Sequence, residues 1–272
     1  MGSLTAASKL NALFPHTVNP VIVSAPMFWT TNGVISAEAS KAGGIGIIPA
    51  GFLFQPGSYQ LTDLATELTA ARETLGFILA HPSTEHFLET ALPILQEHLP
   101  HAVWLFAPNP QDVAAGKIRR IIERCTRRAS SSCTRSGVDA DGHQDAAGSG
   151  IVSLVPEVVD MLKAEFADKE IVVLAAGGVS DGLGVAFCLT KEAWTPDFRR
   201  KLIQETVDGG TSTIKSTFHD DIQATAIRPS VYDGRAIRGP YYEDHVAGVS
   251  FEENLKRYEA AKENKDNSRL VT

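Results

Sequence analysis

The feature that most constrains this fold is a repeated alternation of short apolar segments with segments of helical spacing. The apolar segments cover residues 21–27, 45–50, 76–80, 102–107 and 171–176. They are short and rich in β-branched residues, which is typical of strands that are buried on both faces. Amphipathic helices are predicted over residues 35–42, 62–75, 84–99, 112–128, 154–166 and 181–189. This alternation indicates a parallel sheet covered by helices.

Two architectures satisfy the alternation: an open doubly wound sheet and a closed barrel. The length of 272 residues favours the barrel, because about 250 residues is typical of that fold. However, residues 128–136 contain no apolar run, and the helix ending near Leu189 leads directly into another helix. With five clear strands and a possible one just before Gly137, the sequence therefore predicts a TIM (β/α)8-type barrel that is incomplete. We expect one domain over residues 1–272, with a small helical C-terminal part from about 191 to 272.

Charge and hydropathy exclude several classes of protein. The net charge is −7 and the sequence pI is about 5.6, whereas nucleic-acid-binding proteins are usually basic. The basic segment 117–128 has its apolar residues on one helical stripe, as expected for an outer barrel helix. No apolar segment approaches the roughly 18 residues of a membrane helix, and no secretory signal is recognised. We therefore expect a protein that binds neither nucleic acid nor membrane, and the odd number of cysteines without a CxxC pair favours a reducing, cytoplasmic setting.

A pair of glycines, Gly177 and Gly178, follows the last predicted strand and precedes a helix. Glycines at such a turn allow the backbone to approach a ligand closely, and free N–H groups at a helix start attract an anion. The pair is also explained by a tight turn without a ligand. The residues alone leave both interpretations open.

A single histidine, His143, ends a loop rich in glycine and aspartate. Imidazole titrates near neutrality, so this residue suits a general base or an anion contact, although composition alone favours a solvated loop histidine. Residues 24–27 end the first predicted strand with small side chains and a methionine. Such residues can lie against a flat ring, or they can be ordinary packing at a strand end.

Seven segments taken in chain order resemble the nitronate monooxygenase family, formerly called 2-nitropropane dioxygenase, and its fungal-type members in particular. They are NPVIVSAPM, ASKAGGIGII, GFILAH, VWLFAP, GVDADGHQDAAGSG, VVLAAGGVSDG, and DGGTSTIKSTFHDD with YDGRAIR. The resemblance implies an FMN-binding TIM barrel that oxidises alkyl nitronates with O2 to carbonyl compounds and nitrite. The partners would be a small-molecule nitronate and O2, and no oligomeric state is implied.

The resemblance also implies roles for individual residues. His143 matches the active-site histidine of the family, which serves as the base for neutral nitroalkanes. The cofactor-binding residues would be Ala25, Pro26 and Met27 against the flavin ring, Gly142 beside the active site, and Gly177 and Gly178 at the phosphate. No metal ligand is implied.

The chain departs from the family pattern at several positions. Asp141 stands where the family has glycine, and Ser136 stands where it has a flavin-contacting glutamine. Segments around the fifth and eighth strands are missing, through wrongly removed exons or because the protein is a degenerate paralogue. Two alternatives to an active nitronate monooxygenase follow. One is a catalytically inactive barrel remnant, and the other is a different FMN barrel oxidoreductase of the enoyl-reductase type.

Overall fold

A computed structural model describes most of the chain. The described residues are 6–28, 30–70, 73–125, 130–133, 142–167, 171–174, 189–205 and 209–266. The chain divides into two compact units. The first consists of Met1–Arg135, Val158–Leu174 and Thr190–Trp194, and the second of Ser136–Glu157, Ala175–Leu189 and Thr195–Thr272.

The first unit contains a sheet of five parallel strands that lie side by side in chain order. The strands are β1 (Val23–Ser24), β2 (Ile45–Gly51), β3 (Thr74–Ile78), β4 (Ala102–Phe106) and β5 (Ser130–Cys133). The helices that precede, connect or follow them are α1 (Ala6–Leu13), α2 (Gly33–Lys41), α3 (Tyr59–Ala70), a 3-10 helix (Pro82–His86), α4 (Phe87–His98), α5 (Pro110–Ala114) and α6 (Lys117–Cys125). The predicted alternation of strands and helices is thus confirmed from residue 23 to residue 125.

The main core lies between one face of this sheet and helices α3, α4 and α6. Three buried aromatic rings form its centre, with centroid distances of 5.9 Å for Phe54–Phe77, 5.0 Å for Phe54–Phe87 and 5.1 Å for Phe77–Phe87. Ile118 and Ile121 are buried on α6, so the apolar stripe of the basic segment faces the core, as its spacing predicts. Tilted and edge-on ring contacts of this kind stabilise a core beyond the area they bury.

Two strand predictions were wrong. The polar segment expected to lack a fifth strand forms β5, which pairs with β4 from Ala102↔Ser130 to Leu105↔Cys133. Backbone N–H and C=O groups make these hydrogen bonds, so a strand beside an open edge does not require apolar side chains. Conversely, residues 171–174 of the predicted strand 171–176 have no regular structure. Ile171 and Leu174 are 44% and 46% exposed. An apolar segment forms a strand only where another strand lies beside it to accept its backbone hydrogen bonds.

The second unit contains a small antiparallel sheet in the order β6-β8-β7. Its strands are β6 (His143–Asp145), β7 (Thr213–Ser216) and β8 (Tyr232–Ile237). The helices after residue 190 are α8 (Asp197–Glu205), α9 (Gly209–Ser212), α10 (Phe218–Gln223), α11 (Pro240–Val246) and α12 (Phe251–Glu263). The C-terminal part predicted as helical therefore also contributes two strands. Helix α7 (Ile151–Glu165) has residues in both units.

A second, smaller core stabilises these C-terminal helices. Its buried residues are Phe218, Ile222 and Tyr241, with Tyr242, Leu255 and Tyr258 packed against them. The Tyr241 hydroxyl donates a hydrogen bond of 3.1 Å to the carbonyl oxygen of Arg257. Within the described residues, no helix has both the length and the hydropathy needed to cross a membrane.

Cys125, at the end of α6, provides a test of the main core. Burial raises the pKa of its thiol to about 11, so roughly one thiol in a thousand is ionised at pH 8, and the thiolate is the form that alkylating agents attack. We expect iodoacetamide to modify Cys125 in urea but not in the native protein, as mass spectrometry of the Cys125 peptide would measure. Equal modification in both states would contradict this burial.

Candidate active site

The residues after β1 lie at the carboxyl edge of the parallel sheet, the edge at which barrel enzymes bind their ligands. Ala25 is exposed, whereas Pro26 and Met27 are half-buried. The Pro26 ring lies directly on β3, because a Cβ added to Gly76 would stand 2.7 Å from Pro26 Cγ. Only glycine at position 76 leaves room for this contact, so the sequence of β3 fixes where Pro26 lies.

Hydrogen bonds to Thr31 hold the main chain of Met27. The Met27 N–H donates to Thr31 Oγ1 at 2.8 Å, and the same hydroxyl donates to the Met27 carbonyl oxygen at 3.1 Å. The Thr31 N–H donates to that carbonyl oxygen at 2.9 Å. Since Thr31 is itself buried, the turn after β1 is a rigid support for the Met27 side chain.

A histidine that the sequence analysis did not single out follows β3 at the same edge of the sheet. The N–H of Ser83 donates to His81 Nδ1 at 3.1 Å, and the Ser83 hydroxyl lies 2.7 Å from the same nitrogen. Burial lowers the pKa of His81. Because Nδ1 accepts a hydrogen bond, the neutral ring carries its proton on Nε2. The position of His81 just after a parallel strand was the available signal.

The predicted catalytic histidine belongs to the second unit, where it begins the edge strand β6. His143 pairs with Gly234 of β8. The preceding residue, Gly142, is exposed and has a φ of +70°, a conformation that favours glycine. Its carbonyl oxygen accepts a hydrogen bond of 2.7 Å from the Arg235 N–H. The main chain on both sides of the His143 side chain is therefore held by β8.

The Nε2 atom of His143 lies within hydrogen-bond distance of a carboxylate that is distant in sequence. His143 Nε2 lies 2.9 Å from Asp220 Oδ1 and 2.8 Å from Oδ2, and the side chains are 25% and 16% exposed. A Cβ on Gly234 would stand 3.3 Å from His143 Nε2 and 3.5 Å from Asp220 Oδ2. Glycine at position 234 thus leaves the space that the pair occupies.

Several neighbours determine the charge of Asp220. Burial alone would raise the pKa of its carboxyl, but the hydrogen bond and charge of His143, the charge of Arg228 and a hydrogen bond from Thr225 together hold that pKa below its usual value. Thr225 Oγ1 donates to Asp220 Oδ1 at 3.2 Å. Burial lowers the pKa of the Arg228 guanidinium, and the negative charge of Asp220 opposes this. Asp220 is therefore ionised at neutral pH.

The structure describes five of the seven site residues predicted from the sequence. It places Ala25, Pro26 and Met27 together at one sheet edge, and Gly142 and His143 together at the start of β6. Gly177 and Gly178 lie outside the described residues. Sequence analysis did not identify Asp220 as a partner of His143, although it lies in the segment DGGTSTIKSTFHDD. Among the described residues, no group of three or more His, Cys, Asp and Glu side chains is arranged to hold a metal ion.

Comparison with known proteins adds two curated relatives and two solved structures. The chain is 46% identical over 324 residues to a nitronate monooxygenase of Neurospora crassa, covering 98% of this chain and 86% of the relative. It is 28% identical over 291 residues to the nitronate monooxygenase npaC of Metarhizium robertsii, covering 88% of this chain and 78% of that protein. No protein-family model matches the chain.

The two solved structures resemble this chain in fold. A FabK mutant from Thermotoga maritima matches with a TM-score of 0.57 at 18% identity, covering 97% of this chain and 86% of that one. A nitroalkane oxidase from Streptomyces ansochromogenes matches with a TM-score of 0.59 at 18% identity, covering 97% and 89%. Both have TIM-barrel-like α/β folds, and the parallel sheet of this chain is of that type.

The length of the first alignment bears on the missing segments. It extends over 324 residues, whereas this chain has 272. At least 324 − 272 = 52 positions of the Neurospora crassa relative therefore have no counterpart here.

Proposed function

Since the chain belongs to the nitronate monooxygenase family, we propose that it is an FMN-dependent oxidoreductase that oxidises alkyl nitronates with O2 to a carbonyl compound and nitrite. The observation that carries this proposal is the identity to the Neurospora crassa enzyme, which extends over nearly the whole chain. The likeness to the two solved structures supports the barrel-type fold alone.

We further propose that the fold is a TIM (β/α)8-type barrel shortened by internal deletions. The 52 or more unmatched alignment positions support this. So does the segment from residue 189 to residue 205, in which the chain passes through a turn into α8 without a strand. A strand near the eighth position is the one we propose to be missing.

The described residues of the first unit fit the ring of a flavin. The exposed Ala25 and the half-buried Pro26 and Met27 form a surface of small or flexible side chains at the carboxyl edge of the sheet, against which a flat ring can pack. When bound, FMN supplies the electron-acceptor chemistry that side chains lack.

The residues of this chain have distinct tasks in the proposed reaction. Ala25, Pro26 and Met27 hold and orient the ring, and Gly142 leaves space beside it. Gly177 and Gly178 would contact the phosphate. His143 takes the proton from the carbon of a neutral nitroalkane, whereas a nitronate has already lost that proton and needs only to be positioned.

Purification followed by an absorbance scan and an FMN titration tests the cofactor. We expect a yellow protein, or a colourless one that takes up FMN when it is supplied in excess. The activity is tested by nitrite release from propionate 3-nitronate, measured beside NAD(P)H oxidation. Failure to take up FMN would support the inactive remnant, and NAD(P)H oxidation without nitrite would support an enzyme of the enoyl-reductase type.

A further inference from the structure

We infer that Asp220 is a positioning residue that accepts the Nε2–H hydrogen bond of His143, so that Nδ1 is the atom that takes the proton from a neutral nitroalkane. This inference rests on the proposed function. It adds Asp220 to the residues that take part in the reaction and names Nδ1 of His143 as the atom that accepts the proton.

The contacts of the two ring nitrogens differ. Nε2 lies within 2.9 Å of both carboxylate oxygens of Asp220. Nδ1, by contrast, makes no hydrogen bond with any described residue, and it is not among the buried polar atoms that lack a partner. No described residue occupies Nδ1, and the His143 side chain is 25% exposed. Asp220 occupies one side of the imidazole and leaves the other side available for chemistry.

The charge of Asp220 decides which nitrogen carries the proton. An ionised carboxylate only accepts hydrogen bonds, so the nitrogen that faces it must be the donor. Asp220 is kept ionised chiefly by the hydrogen bond with His143, and further by the positive charge of Arg228 and the hydrogen bond from Thr225. Neutral His143 is thus held in the tautomer with hydrogen on Nε2 and a lone pair on Nδ1.

The same contact stabilises the product of the proton transfer. The C–H bond next to the nitro group breaks, its electron pair remains on the substrate as the nitronate, and the proton forms an N–H bond at Nδ1. His143 then carries a positive charge directly beside the Asp220 carboxylate. Because the pair is mostly shielded from water, this attraction is stronger than it would be between exposed groups.

Regular secondary structure holds both members of the His143–Asp220 pair in place. Asp220 belongs to the first turn of α10, next to Phe218 and Ile222 of the smaller core. His143 is held by β8 through Gly234. Neither partner is on a freely moving loop, so the pair is already formed before a substrate arrives.

The first test compares Asp220→Asn with Asp221→Asn, an exposed neighbour on the same helix. In the flavin-loaded enzyme, we expect Asp220→Asn to lower kcat/KM for a neutral nitroalkane at least about a hundredfold and to leave nitrite release from the preformed nitronate nearly unchanged. Asp221→Asn should behave as wild type on both substrates. Equal losses of Asp220→Asn on both substrates would overturn the inference, since a merely structural role would affect both.

The second test does not depend on activity. Nitrogen-15 NMR of the imidazoles in the wild-type protein, with the His143 signal assigned from its loss in His143→Ala, reports which ring nitrogen carries hydrogen. We expect a protonated Nε2 and an unprotonated Nδ1. A proton on Nδ1 of neutral His143 would overturn the inference. Absence of nitrite release by wild type, with the expected tautomer present, would instead count against the proposed function.

Discussion

Replacing His143 with alanine is expected to lower the turnover of neutral nitroalkanes at least about a hundredfold, the range for losing a general base. The carbon of a neutral nitroalkane must lose its proton before oxidation, and His143 is the proposed base. The nitronate form of the same compound arrives without that proton, so its turnover should change by only about threefold or less. Nitrite release from the freshly dissolved neutral compound and from its pre-equilibrated nitronate measures both effects on one enzyme preparation.

The matched control for this experiment is His86→Ala. His86 lies at the end of the 3-10 helix and pairs with Glu85 and Glu89 on the surface. The His86→Ala substitution should leave the turnover of both substrate forms unchanged. If His143→Ala slowed the two substrate forms equally, His143 would be a binding or structural residue, and the proposed base would have to be another group.

Replacing Gly46 with alanine is expected to have the largest effect on stability. Gly46 lies in β2, and a Cβ there would overlap the backbone carbonyl of Ser36 in α2. Backbone cannot rotate out of the way as a side chain can, so α2 must separate from the sheet. We expect the free energy of unfolding to fall by about 3 kcal/mol or more, at the upper end for overpacked cores. Urea unfolding followed by circular dichroism measures this change.

Gly33→Ala is the control for the packing of the same helix. A Cβ at Gly33 would also be too close to a neighbour, but that neighbour is the carboxylate of Glu67. The end of a long side chain can move at less cost than backbone, although the Glu67 carboxylate also accepts a hydrogen bond from the Gly33 N–H. We therefore expect Gly33→Ala to lose less stability than Gly46→Ala. A stable Gly46→Ala protein would show that α2 does not lie against β2 as described.

The comparison of sequence and structure separates local from long-range information. The apolar segments at 45–50 and 102–107 were recognised as strands, and β2 and β4 cover nearly the same residues. The polar β5 was missed and the apolar segment at 171–174 was wrongly assigned. In both cases the deciding factor is whether another strand lies alongside, and no local pattern contains that information.

In the candidate site, too, some residues could be found from the sequence and others only from the fold. Residue type and order raised Ala25, Pro26, Met27 and His143 as candidates, and only the family resemblance assigned roles to them. The partner of His143 was not visible, since Asp220 is 77 positions away and its segment contains other acidic residues. Only the pairing of β6 with β8 and the start of α10 beside them bring the two side chains into contact.

Residue order alone established an alternating α/β chain, a resemblance to one enzyme family and a short set of candidate residues. These conclusions depend on properties that each segment carries by itself: periodicity, turn chemistry and side-chain type. The three-dimensional fold decided which edge receives a polar strand, why Gly46 must lack a side chain, and which nitrogen of His143 is held by a carboxylate. Those outcomes depend on contacts between segments far apart in the chain, where space and charge are set by neighbours that local sequence does not specify.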